Sequence, residues 1–145
     1  MVAYADTSFL VPLYLLEENS NRAIEIVTVL TEPLPITPLH LLEFRNALNV
    51  AIKRKELTHA QRNNIWKTFE KDTAQGGFFR AALSPEALNR SAADLSDRYT
   101  PTVGTRSLDL LHLAQAKLLG AKTLLTFDIR QGQAGTMAGF HLPLP

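Results

Sequence analysis

Four carboxylates stand apart from the other acidic side chains: Asp6, Glu43, Asp109 and Asp128. Asp6 directly follows the apolar run at residues 2–5, and Asp128 directly follows the run at 123–127. Asp109 opens an apolar helical stretch, and Glu43 lies inside the mostly apolar segment 39–44. Other acids, such as Glu17, Glu18, Glu70 and Asp72, fall on polar faces. Each of the four has an ordinary reading taken singly. Asp6 and Asp109 suit helix N-termini, where the macrodipole favours carboxylates by about 0.3–1 kcal/mol. Asp128 suits a turn, and Glu43 suits an ion pair. Taken together they suggest convergence, and convergence has a physical demand. Two unit charges ~4 Å apart repel by ~4 kcal/mol at an effective dielectric of 20. Protons or a cation must relieve that. Oxygen-only ligands select a hard divalent ion, Mg²⁺ or Mn²⁺, over zinc. Such an ion polarises phosphoryl oxygens and lowers the pKa of bound water, which is the chemistry of phosphodiester cleavage.

The elements that must position these acids follow from periodicity and punctuation. Short apolar runs alternate with longer stretches at helical spacing, the pattern of an α/β domain with a parallel sheet. Strands are expected at 2–5, 34–37, 78–83 and 123–127, with a last short one at 140–142. Helices are expected from about residue 8, at 20–30 with Ser20 as cap, and at 38–54. Thr58 with Gln61 makes a capping-box pattern for a helix to about 73. Ser84-Pro85 opens another to about 99, residues 100–106 read as a loop, and Ser107 reads as the cap of 108–119. Gly132, Gly135 and Gly139 weaken helix after Asp128 by about 1 kcal/mol each. Asp6 and Asp128 then project from carboxyl ends of strands, where ligands of parallel sheets sit.

The composition bounds the alternatives. The chain of 145 residues is 46% hydrophobic, enough for one domain with its own core. It contains no cysteine, which excludes disulfides, thiolate metal sites and a cysteine nucleophile. The formal charge is +1, so nucleic-acid contact must come from local patches. The apolar run at 8–16 is far short of the ~20 residues a membrane span needs. A soluble, cytoplasmic protein without a membrane segment is expected.

The stretch Tyr4-Ala5-Asp6-Thr7-Ser8-Phe9-Leu10 resembles the opening of PIN domains, especially VapC-type ribonuclease toxins. Glu43-Phe44-Arg45-Asn46 resembles their second motif, Arg106-Ser107-Leu108-Asp109 through Ala114 their third, and Leu124-Leu125-Thr126-Phe127-Asp128 their fourth. The four appear in family order and frame nearly the whole chain. The resemblance implies a PIN-like three-layer α/β/α sandwich with a mainly parallel sheet of about four to five strands, one domain over residues 1–145. It implies hydrolysis of RNA with Mg²⁺ or Mn²⁺, leaving 5′-phosphate and 3′-hydroxyl ends. It implies homodimerisation and neutralisation by a small antitoxin. Asp6, Glu43, Asp109 and Asp128 take the metal-ligand and catalytic roles. Thr7 and Ser8 line the pocket, Ser8 being slightly favoured as the hydroxyl that touches a ligand or its water. Asn46 and Thr126 orient carboxylates.

Other residues carry two readings each. Arg106 and Arg130 contact phosphate or balance the acids. His112, three residues after Asp109, reads better as a packed histidine than as a ligand for a hard ion. Lys53-Arg54-Lys55 either complements a helix terminus or meets RNA backbone. Trp66 and Phe69 read as core. A haloacid-dehalogenase-like phosphatase needs an Asp where Ser8 stands, and a response-regulator receiver needs a late Lys where none follows Lys122. The rivals left are a solitary RNA-processing nuclease and a silent PIN-like binding module.

Overall fold

A computed structural model describes residues 2–144. β1 (Ala3–Ala5) runs parallel to β4 (Thr123–Leu125), with Ala3 opposite Thr123 and Ala5 opposite Leu125. β2 (Leu34–Ile36) runs parallel to β3 (Phe78–Arg80). β1, β2 and β4 are buried along their whole length, as strands covered on both faces require. Between them come α1 (Thr7–Leu10), a 3-10 turn at Val11–Leu13, α2 (Ser20–Thr28), α3 (Pro38–Lys53), α4 (His59–Ala74), α5 (Pro85–Val103) and α6 (Ser107–Leu118), and α7 (Ile129–Met137) follows β4. Alternating strands and helices with parallel pairing make the α/β class. Among the described residues, no helix is long and apolar enough to cross a membrane.

The chain divides into two units: residues up to Ser8 with those from Ala82 onward, and Phe9–Ala81. The core of the first gathers Tyr4, Leu95, Leu113, Ala114, Leu124 and Ala134. The core of the second includes an aromatic cluster. Phe69 meets Phe44 edge-on with centroids 5.1 Å apart and lies 5.4 Å from Phe78. Trp66 closes the cluster half-buried, with the Arg45 guanidinium over its ring at 4.9 Å.

Several boundaries differ from the sequence reading, each for a local reason. Residues 100–106 are not all loop, because α5 continues through Pro101 to Val103 before Gly104 turns left-handed at φ 75°. Hydroxyl contacts, Ser96 with Thr100 and Thr100 with Thr105 at 2.7 Å, hold that last turn. Ser107 is the first residue of α6 rather than its cap; Arg106 is the cap, and Asp109 reaches back to its backbone N–H at 3.4 Å. Ser20 likewise lies inside α2, its hydroxyl accepting from Glu17 N–H and donating to the Leu15 carbonyl. The segment 140–142 contributes one parallel bridge, His141 to Thr123. The glycine-bearing stretch after Asp128 is helical. Gly135 packs so close to β4 that a Cβ there would stand 2.5 Å from Leu124 Cδ2.

Candidate active site

The first unit builds the acid cluster from the carboxyl ends of two hydrogen-bonded strands. Asp6 follows β1, and its backbone N–H extends the ladder to the Leu125 carbonyl at 3.1 Å. Its carboxylate is buried, 4% exposed, and held by two hydroxyls. Ser8 donates to one oxygen at 2.6 Å and Thr126 to the other at 2.5 Å. Thr126 also accepts the Asp128 N–H at 3.1 Å, so one hydroxyl ties Asp6 to the backbone of Asp128. Ser8 accepts the Phe127 N–H at 3.0 Å. Since its single proton goes to Asp6, the Ser8 hydroxyl orients the carboxylate rather than offering a donor to a ligand.

Asp109 and Asp128 sit in the first turns of α6 and as the cap of α7, where dipoles favour them. Asp128 Oδ1 accepts the Gln131 N–H at 2.8 Å. The Arg106 guanidinium lies 3.5 Å from Asp109 Oδ2 and 3.9 Å from Asp128 Oδ2. These two acids thus share one cation while each also caps a helix. Arg106 is largely exposed, and Arg130 is exposed on the first turn of α7.

Behind the acids, His112 is buried at 3% exposure. Its Nδ1 is 2.6 Å from the Tyr4 hydroxyl and its Nε2 is 3.4 Å from Thr7 Oγ1. Both ring nitrogens are engaged, so His112 steadies Tyr4 and Thr7 from α6. Glu43 and Asn46 belong to the second unit, three residues apart on one face of α3, the first half-buried and the second exposed. Lys53, Arg54 and Lys55 lie exposed at the end of that helix. Among the described residues, no three His, Asp or Glu side chains are grouped so as to hold one ion.

Sequence reasoning passed over Gln131. It is fully buried, and its Nε2 donates to the Asp109 carbonyl at 3.0 Å. The spacing Asp128-x-x-Gln131, a cap followed by an amide three residues on, was the available signal.

The second unit holds a cavity of 820 Å³ walled by Leu13, Val27, Leu30, Ile65 and Phe78. Asp72 and Glu32 line it as well, and among the described residues no Lys or Arg does. The Tyr14 hydroxyl donates to Asp72 at 2.5 Å; burial, then the bond to Asp72 and its charge, hold that phenol well above its ordinary pKa.

A family model described as PIN domain matches residues 3–136. No curated protein matches. Three solved structures share the fold. VapC20 of Mycobacterium tuberculosis, described as a sarcin-ricin loop cleaving toxin, aligns with a TM-score of 0.70 at 15% identity over 92% of this chain and 95% of its own. FitAcB from Neisseria gonorrhoeae gives 0.67 at 15% identity over 97% and 96%. PAE2754 from Pyrobaculum aerophilum gives 0.60 at 17% identity over 98% and 89%. These likenesses establish the α/β/α sandwich with its mainly parallel sheet.

Proposed function

We propose, from the premise that the chain belongs to the PIN-domain family, that it is a metal-dependent endoribonuclease and the toxin of a toxin–antitoxin pair. The observation that carries this reading is the buried Asp6, locked by Ser8 and Thr126 beside Asp128 at the ends of adjacent parallel strands. A carboxylate oriented by two hydroxyls is prepared for a ligand, not for solvent.

The donor set fits Mg²⁺ or Mn²⁺, because it is all oxygen and such ions bind through one or two carboxylates, waters and substrate phosphates. By the motif resemblance, and not by their grouping here, Asp6, Glu43, Asp109 and Asp128 are the residues that would hold the ion. Bound there, it supplies charge neutralisation at a phosphoryl oxygen and a water of lowered pKa. The chain's own residues do the rest. Ser8 and Thr126 fix Asp6, and Asn46, one turn on from Glu43 in α3, would steady that carboxylate. Arg106, exposed over two carboxylates, is placed to exchange them for a substrate phosphate. Arg130 offers a second guanidinium to RNA backbone. The family model spans both units, which supports reading them as a single nuclease domain.

The partner is a small antitoxin that inhibits by inserting an Arg or Lys among the acids. The rest of its tail lies on apolar surface of the early helices, and the cavity beside Leu13 supplies such surface. Its Asp72 and Glu32 suit a cationic segment. A homodimer in the cytoplasm completes the reading. The second reading, a silent binding module, draws on the capping work of Asp109 and Asp128, which needs no ion.

Cleavage of RNA with Mn²⁺, with chelator, and with Asp6→Asn decides between them. Metal-dependent cleavage lost in the variant supports the nuclease. No cleavage by the parent under any of these conditions leaves the binding module.

A further inference from the structure

We infer that Gln131 is a positioning residue that sets the gap between Asp109 and Asp128. Its side chain is fully buried, and it touches both acids' supports at once. The backbone N–H holds Asp128 Oδ1 at 2.8 Å, while Nε2 holds the Asp109 carbonyl at 3.0 Å. The first turn of α7 is thereby fastened to the first turn of α6. The width of the gap is visible in its occupant: a single guanidinium, Arg106, reaches one oxygen of each acid.

Stability alone does not account for an amide here. Among the described residues, Gln131 Oε1 is buried without a hydrogen-bond partner, which opposes folding. A Met of similar reach would fill the space without that orphan. The side chain is kept polar for the one bond Met cannot make, the tie to Asp109. This inference rests on the nuclease reading, since it gives the acid gap its purpose.

The test uses the full chain and Mn²⁺ alone as probe, with two variants, Gln131→Met and Gln131→Asn. The first removes the donor, and the second keeps it but shortens its reach. Apparent Mn²⁺ affinity is read from melting shifts, beside the metal-free melting temperature and kcat and KM on RNA. Expected for Gln131→Met is an unchanged or higher metal-free melting temperature with Mn²⁺ affinity about ten- to a hundredfold weaker. kcat falls while KM holds. Gln131→Asn weakens Mn²⁺ binding similarly and serves alone if the Met variant does not fold. Parental Mn²⁺ affinity in a folded variant overturns the inference, as does a lowered melting temperature with affinity intact. A parent that neither responds to Mn²⁺ nor cleaves RNA removes the nuclease reading itself, and this inference with it.

Discussion

Asp6 is the side chain on which most of the chemistry turns, because its surroundings leave it little freedom. Two hydroxyl donors and burial fix both of its oxygens. Asp6→Asn keeps the shape but sets an amide NH2 where one hydroxyl now donates, so the variant should fold with a metal-free melting temperature modestly below the parent's. Metal-dependent cleavage should fall roughly a hundredfold or more, as expected when a ligand group is lost. A variant that cleaves like the parent would make Asp6 structural. Tyr14 gives a second test at this scale, in the alkaline range. Its ordinary pKa is 10.0, and the fold raises it, so the folded chain keeps the proton after the unfolded chain has lost it. Stability from this bond is therefore complete below about pH 10 and declines above it. Tyr14→Phe should lose about 1 kcal/mol near neutrality, because Asp72 loses a donor, yet show a flatter stability curve above about pH 10. Denaturation midpoints at pH 8, 10 and 11 would show whether the curves converge.

The elements show which parts of the design are local. Thr58 and Gln61 form both bonds of their capping box, at 3.1 and 2.8 Å, and Ser84-Pro85 opens α5 as its residues dictate. Those signals lie within four residues, so they are legible in the sequence. α7 is not, because Gly135 answers to β4 rather than to helix propensity. Gly135→Ala tests this. Propensity alone would make it stabilising by about 1 kcal/mol. The contact with buried Leu124 should reverse the sign, since overpacking costs about 1–3 kcal/mol. A thermal melt in which the variant is more stable would refute the packing account. Lys55 is the opposite case, a side chain where glycine is wanted. It ends α3 at φ 60°, so Lys55→Gly should stabilise by about 1 kcal/mol in the same assay. Of the site, Asp6 and Asp128 were legible because each ends an apolar run. Gln131 and the Tyr4–His112–Thr7 contacts were not, since α6 meets those partners only through tertiary packing.

At the scale of the whole molecule, an acidic site that binds Mn²⁺ only when folded must link metal to stability. At a hundred times the dissociation constant the gain is about 2.7 kcal/mol. The melting temperature should rise accordingly, and the rise should vanish in Asp6→Asn/Asp109→Asn. An equal rise in both proteins would place the ion elsewhere. The pairing of β1 with β4 has a consequence of another kind, in time. Asp6 is made well before its partner, since Thr126, which orients it, comes 120 positions later. At about 5–20 residues per second, that interval is about 6–24 s of synthesis. Throughout it the nascent chain carries Asp6 without the hydroxyl that aims it and without Asp128. Such a chain has no assembled acid cluster. A message cut short before the Thr126 codon yields a product that lacks both that hydroxyl and Asp128.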